Sequence, residues 1–305
     1  MFIRQLEYLV ALAEHGHFAR AADACRVSQP ALSSAIRKLE GELGLQLVRR
    51  GHAYEGMRDA GLRVVGWAGA LLASYAALRQ EALDVNRQLA GTLRFGAIPT
   101  TLPVVPFLTA GAQQAYPAIR MTVLSLPADE IARRLDHVDL DFGLTFLDDP
   151  ALAGFALHPL YVERYVLVAR DPAALGGRST LTWAEAARLP LCLLTGNMQS
   201  RRIIDAAFRS AGAAPSVRVE TDSIFALYAQ VRFSDLCAVL PHSVLSLVEL
   251  RQELTIVPLT PQLSRPIGLV LRRQQPLPAV TAAVLAMALT VPLQQRFDSL
   301  ISAMY

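Results

Sequence analysis

The run from Gln29 to Lys38 sets Gln29, Pro30, Ser33, Ser34, Arg37 and Lys38 beside an apolar stripe of Leu32, Ile36, Leu39 and Leu43. Glutamine and serine read base edges, and arginine and lysine hold guanine or phosphate, so these residue types at helical spacing suit contact with double-stranded DNA. A second basic group, Arg49, Arg50, His52 and Arg58, lies on or beside a Gly- and His-bearing stretch that reads as an exposed hairpin or wing, where the chemistry is phosphate contact. Seven basic and four acidic residues between Arg26 and Arg63 give the region a local positive excess. An amphipathic helical bundle of unrelated purpose would share the periodicity, but it has no need of the Ser28-Gln29-Pro30 start.

A different chemistry is suggested further along. Ile98-Pro99-Thr100-Thr101-Leu102-Pro103 stands between a strand pattern and a helical one, and Thr195-Gly196-Asn197-Met198-Gln199-Ser200 repeats the arrangement. Hydroxyls and free N–H groups at helix starts suit an anion, so two helix N-termini could pinch one carboxylate or oxyanion, with Thr145 at a third strand end completing the wall. Capping for stability alone is the alternative for each residue. Nothing points to catalysis: there is no G-x-S-x-G, P-loop, H-E-x-x-H or dinucleotide fingerprint, and the six histidines are scattered. No catalytic residue, metal site or cofactor is therefore expected. His158 and His242, beside prolines, read as loop residues, and of Asp139 and Asp141 one is expected in solvent and one at a helix cap.

The elements that must carry these residues follow from periodicity. Leu6, Leu9, Val10 and Ala13 mark a first helix that Gly16 stops. Phe18 to Cys25 is a short helix whose Ala19, Ala21, Ala22 and Ala24 allow a close crossing. A third helix begins after the Ser28 cap, with proline in its first turn, and ends at Gly44. Together these make a helix-turn-helix with a recognition helix. From Asp59 to about Leu89 two seven-residue series, Tyr75/Ala82/Leu89 and Leu71/Leu78/Val85, lie three residues apart like heptad positions. That seam predicts a dimer through the helix, unless the helix lies along its own domain. After Gly91, strand and helix alternate: strands at 92–97, 121–126 and 140–146, then 165–169, 191–194, 217–220 and 237–240, predict parallel α/β units. A further strand at 267–271 and a helical tail at 279–303 imply that the chain crosses back, so that two lobes enclose a cleft.

Composition agrees with packed domains. The chain has 305 residues, 53% of them apolar and 18% charged, which argues against disorder; the net charge of +3 decides nothing about partners. Arg4 and Glu7 interrupt the apolar pattern of the first residues, and the apolar run 281–293 is too short to span a bilayer and contains Pro292, so no membrane role is expected. Cys25, Cys192 and Cys237 cannot make a disulfide framework, which fits a reducing cytoplasm. Cys192 and Cys237 read as small buried hydrophobes, with redox sensing as the alternative.

The segment RQLEYLVALAEHGHFARAADACRVSQPALSSAIRKLEGELGLQL closely resembles the DNA-binding domain of LysR-type transcriptional regulators, and the rest of the chain is similar to that family. The resemblance implies a winged helix-turn-helix at 1–58, a linker and dimerisation helix at 59–90 and a two-lobed, periplasmic-binding-protein-like effector domain at 91–305. Lobe one would comprise 91–160 and 267–305, and lobe two 161–266. It carries DNA contacts onto Gln29, Pro30, Ser33, Ser34, Arg37 and the wing residues, implies a tetramer, and makes RNA polymerase a partner if the protein activates. The chain departs from the family at Ser34, where arginine is common, in the wing RRGHAYEGMRDAG, and at Ser234-Asp235-Leu236 in place of Gly-x-Gly. IPTTLP, VLSLPADEIARRLDHVDLDFGLTFLDD and YVERYVLVARDP resemble the branch beside formate dehydrogenase genes, which implies formate or another small carboxylate as effector. A redox-responsive or ligand-independent repressor of the same fold is the alternative; a small-molecule-binding protein or enzyme with an accessory helical domain is the remoter one.

Overall fold

Local capping divides the N-terminal third of the chain into helices. Helix α1 (Ile3–His15) ends at Gly16 and α3 (Gln29–Leu43) ends at Gly44, both glycines in the left-handed conformation; α2 is Phe18–Ala24. The Ser28 hydroxyl accepts from Ala31 N–H at the start of α3, and Pro30 occupies its first turn. In the computed structural model, residues 1–50, 54–84, 89–247, 254–274 and 276–302 are described. They form two units, one built around Met1–Leu89 and the other around Ala90–Leu135, Leu140–Gln275 and Val280–Tyr305.

In the first unit Leu6, Leu9, Leu12, Leu32, Ile36 and Leu39 meet in one core. Ala21 and Ala22 supply the close crossing of α2, whereas Ala24 faces solvent. The turn into α3 places Arg26 at φ 55, a left-handed conformation that costs a side-chain-bearing residue roughly 1–2 kcal/mol. Strands β1 (Val48–Arg50) and β2 (Tyr54–Met57) form the wing hairpin. Glu40 ties it to α3, its carboxylate accepting from Leu47 N–H (2.9 Å) and Val48 N–H (3.1 Å). Helix α4 (Asp59–Asp84) then crosses so closely that a Cβ on Gly61 would strike the Leu47 carbonyl. The early turns of α4 lie along their own domain: Ala68 is buried in the core, with Val64, Val65 and Leu72 against it.

The second unit is a mixed sheet rather than the expected parallel one. Strands β3 (Gly91–Ala97), β4 (Ile119–Ser125) and β5 (Phe142–Phe146) are parallel, with α5 (Val105–Ala115) and α6 (Ala128–Asp136) in the connections. Strand β6 (Phe155–Ala169) is far longer than the predicted 165–169, and β12 (Ser264–Arg272) runs antiparallel to both β5 and β6. These two strands carry the chain between lobes. The far half of β6 pairs antiparallel with β10 (Ala238–Pro241) and β11 (Thr255–Thr260), and β7 (Leu181–Thr182) follows β11. Strands β8 (Leu191–Leu194) and β9 (Val217–Thr221) are parallel and join β10 through a bridge from Leu191 to Cys237. Helices α7 (Trp183–Ala186), α8 (Gln199–Ser210) and α9 (Ile224–Phe233) complete the second lobe.

The tail returns as α10 (Ala279–Ala288) and α11 (Leu293–Ser302). Phe297 of α11 packs edge-on against Phe107 of α5, Tyr161 of β6 and His242, so the tail rests where the two lobes adjoin. At the crossover, β12 carries a bulge at Ile267/Gly268, and a Cβ at Gly268 would meet the His158 carbonyl. His158 is thus part of β6, and His242 is fully buried at the end of β10, so neither is the loop residue expected. Asp141 is no helix cap: its carboxylate accepts from Arg94 N–H of β3 at 2.8 Å.

Candidate functional site

Two surfaces carry polar side chains not absorbed by the folds beneath them. On α3, Gln29, Pro30, Ser34, Arg37 and Lys38 are exposed and Ser33 is half-buried, opposite the buried Leu32, Ile36 and Leu39. Lys38 lies with its ammonium 5.4 Å from the Phe2 ring centre, a cation–π contact that ties it toward α1. Arg49 is exposed on β1, while the side chain of Arg50 and all of His52 lie outside the described residues. The geometry is a rigid convex helix with polar groups outward, the form that enters a major groove, with a basic hairpin alongside.

The second region is the gap between the lobes; of the three strand ends chosen from sequence, those of β3 and β5 are adjacent. A 3-10 turn, Pro99–Val104, follows β3, and the Ile98 N–H bonds to Leu144 O of the neighbouring β5. Thr100 and Thr145, on these adjacent strand ends, are each 1% exposed, and neither hydroxyl has a hydrogen-bond partner. Thr101 differs: its hydroxyl donates to Ile98 O (3.0 Å) and Leu144 O (3.1 Å), so it braces the backbone. Across the gap, the Thr195 hydroxyl donates to Asn197 Oδ1 at 2.7 Å, closing its own turn, and Gly196 and Asn197 face solvent. At the start of α8, other residues of lobe two meet lobe one. A cavity of ≈ 10 Å³ separates Ile98, Pro99 and Pro127 from Met198, Gln199 and Ser200. That is room for about one water-sized group.

Gln199 spans the gap. Its Nε2 donates to Asp149 Oδ2 at 3.3 Å, and its Oε1 is buried without a partner. Gln199 lies in the loop picked out from sequence but was given no role there, and Asp149 was not singled out. Asp149 also caps the short 3-10 turn at Pro150, accepting from Ala151 N–H through Oδ1 at 3.0 Å. Beside it, Asp148 receives Arg265 Nη2 of β12 at 2.5 Å. An Asp-Asp-Pro run reads locally as a cap, and only the fold brings it to α8.

Residues 3–57 match the model for the bacterial regulatory helix-turn-helix protein, lysR family, and residues 86–292 match the LysR substrate binding domain. The chain belongs to the LysR family of transcriptional regulators. It is 32% identical to the DNA-binding transcriptional dual regulator OxyR of Escherichia coli over 91% of both chains. It is 36% identical to a hydrogen peroxide-inducible genes activator of Dickeya chrysanthemi over 64% of this chain and 62% of that one. A full-length cysteine-to-aspartate variant of OxyR from Pseudomonas aeruginosa superposes with a TM-score of 0.75 at 23% identity, covering 95% of this chain and 98% of that one. This LysR-type chain is thus a DNA-binding regulator, not an enzyme, with a winged helix-turn-helix and a two-lobed periplasmic-binding-protein-like domain.

Around β6 of this LysR-type fold lies a further set of buried polar groups that sequence reasoning missed. Glu163 of β6 is fully buried and faces Arg265 across the β6–β12 pair. Tyr161 and Ser243 donate to its Oε2 at 3.3 and 3.4 Å, and its Oε1 has no partner. Burial pushes the Glu163 carboxyl up to about 8, against the smaller effects of Tyr165, Tyr161, Ser243 and Arg265, so it holds its proton at neutral pH. Burial likewise pushes His242 down to about 4, and its Nδ1 accepts from Arg164 N–H at 3.2 Å. The cysteines sit elsewhere. Cys192 and Cys237 are fully buried neighbours on β8 and before β10, joined by Cys192 N–H to Cys237 O at 2.8 Å, and burial raises both thiols, Cys237 to about 11. Cys25 is half-buried, and burial, then Glu7 and Glu14, raise its thiol. Among the described residues no cluster of His, Cys, Asp and Glu could hold a metal ion, and no helix is long and apolar enough to cross a membrane.

Proposed function

We propose that this regulator is switched by a small oxyanion held between the lobes, with Thr100 and Thr145 as the donors. The supporting observation is that both hydroxyls are buried without a partner on adjacent strand ends of the lobe that Gln199, at the start of α8, reaches from across the gap. A buried hydroxyl left unpaired costs about 1–3 kcal/mol, which a ligand oxygen would recover. Formate and other small carboxylates are the smallest members of the class. A cavity of ≈ 10 Å³ must widen for any of them, and the effector acts through its different affinity for the widened and closed arrangements. Thr101, Thr195, Gly196 and Asn197 shape the walls rather than donate.

On DNA, the reading assigns base edges to Gln29, Ser33 and Ser34, guanine or phosphate to Arg37 and Lys38, Pro30 to the helix start, and phosphate to Arg49 and Arg50. Leu71 and Leu78 of α4 are exposed, as are Tyr75 and Trp67, and this face supports pairing with a second copy and from there a tetramer. RNA polymerase is a partner if the protein activates, and the cytoplasm is its compartment. A peroxide response through a cysteine thiolate is the second reading, suggested by the names of relatives; the raised, buried Cys192 and Cys237 thiols weigh against it.

Isothermal titration of formate, acetate and bicarbonate into wild type and Thr100→Val tests the cleft. A binding loss of about 5- to 150-fold in the variant, with unchanged DNA affinity in the absence of ligand, is expected. Binding indifferent to Thr100 and to Thr145→Val would move the effector elsewhere, and oxidation by peroxide that alters operator affinity would favour the second reading.

A further inference from the structure

The amide of Gln199 has a fixed orientation. A carboxylate offers only acceptors, so the atom that Gln199 turns to Asp149 Oδ2 must be Nε2, and Oε1 is thereby turned away from it. That oxygen is buried and has no partner, in the same gap whose opposite wall begins the turn carrying Thr100. Thr100 and Thr145 thus offer two hydroxyls able to donate on the strand ends of lobe one, and the other lobe offers an amide oxygen able only to accept. An oxyanion with no hydrogen of its own satisfies the first and is repelled by the second. Asp149 is itself held in place, because its other oxygen caps the 3-10 turn at Pro150.

We infer that Asp149, by fixing the Gln199 amide, makes this cleft select small oxyanions that retain an O–H donor, such as bicarbonate or glycolate, over those that have none, such as nitrate or acetate. The inference rests on the cleft reading given above and sharpens its ligand class. The donor of the ligand pairs with Gln199 Oε1, and its charged oxygens accept from Thr100 and Thr145. Ligand and latch then act together: the Gln199–Asp149 bond joins the lobes, and a ligand that bonds to Gln199 extends the same bridge.

Bicarbonate and nitrate make a matched pair, since both are planar monoanions with three oxygens and only bicarbonate has a hydrogen. Glycolate and acetate make a second. Titration of all four into the full-length wild type should give at least about tenfold tighter binding for the hydroxyl-bearing member of each pair. Asp149→Asn keeps the oxygen that caps Pro150 and presents an N–H₂ to Gln199, which lets the amide turn its Nε2 inward. The variant should lose or invert the preference while binding the anions at least as well, because a negative charge at the rim is gone. Gln199→Met, which cannot accept from a hydroxyl, should lose the preference by a separate route. Equal binding within each pair in wild type, or a preference that Asp149→Asn leaves intact, overturns the inference and leaves the cleft reading standing. Anion binding that Thr100→Val does not weaken, or no anion binding at all, overturns the cleft reading and the inference with it.

Discussion

The exposed face of α3 and the gap between the lobes are both polar, but their polar atoms are in opposite states. Gln29, Ser34 and Arg37 stand in water, where an unpaired donor or acceptor costs nothing. Thr100, Thr145 and Gln199 Oε1 are buried and unpaired, each at a cost of about 1–3 kcal/mol. On the proposed reading the helix meets DNA without rearrangement, and its affinity then comes from charge and from presenting two copies together. The gap stores an unmet demand that a small ligand can relieve, which suits a switch. A surface for a long polymer and a niche for a few atoms thus use the same residue types with different burial.

The largest expected effect breaks the first half of that comparison. Leu78 is 67% exposed on α4 and Trp67 79%, on the face not used by the core residues Val64, Val65, Ala68 and Leu72. If DNA binding relies on two copies, Leu78→Glu or Leu71→Glu splits the dimer and lowers operator affinity by about 100-fold or more, since the second half-site is no longer engaged together with the first. Analytical ultracentrifugation and a gel-shift titration decide it: a variant that sediments like wild type removes this face from the assembly. Trp67→Ala extends the test to a residue outside the heptad series read from sequence.

A smaller effect separates reading from holding. Gln29→Ala should cost about 1–3 kcal/mol on the specific site and little on random DNA. Arg49→Ala should weaken both alike and reduce the salt dependence by about one phosphate contact. Fluorescence anisotropy on the two DNAs at several salt concentrations checks both. Equal losses for Gln29→Ala on both DNAs would make α3 a backbone clamp.

Legibility in the sequence follows the distance over which each contact is made. The Ser28 cap, Pro30 and the glycine stops at 16 and 44 act within a few residues, and the helices they delimit match the expected ones. The first half of β6 was missed because Pro159 and His158 interrupt its pattern, and β11 because it contains Pro258; proline demotes a run that would otherwise read as a strand. Pairing with β12 supplies what propensity lacks. Thr100 and Thr145 could be picked out as strand-end hydroxyls, but that Thr101 is spent on Leu144 O depends on which strand lies beside β3. Gln199 and Asp149 are 50 residues apart, and Glu163 meets Ser243 from 80 residues away. Nothing local marks such pairs, since a glutamine opening a helix and an aspartate before a proline are both ordinary caps.

The smallest effect concerns the buried network around β6 and sharpens the contrast between wet and dry polar groups. Glu163 has its folded value raised from 4.5 to about 8, so between these values the folded chain holds a proton that the unfolded chain has lost, and stability falls as pH rises. His242 has its folded value lowered from 6.5 to about 4, so over that interval the unfolded chain holds the extra proton and stability rises with pH. The two oppose each other below pH 6.5. Above it only Glu163 acts, giving a decline of at most about 1.4 kcal/mol per pH unit up to about pH 8. Glu163→Gln keeps the shape and removes the titration, so it should flatten the decline above pH 6.5 and uncover the rise due to His242 below it. Urea unfolding of wild type and variant at several pH values, both carrying Trp67→Phe so that fluorescence reports Trp183 of the second lobe, measures both limbs. An identical slope in the two proteins between pH 6.5 and 8 would mean that Glu163 already ionises in the folded chain, with Arg265 as its partner rather than Asp148.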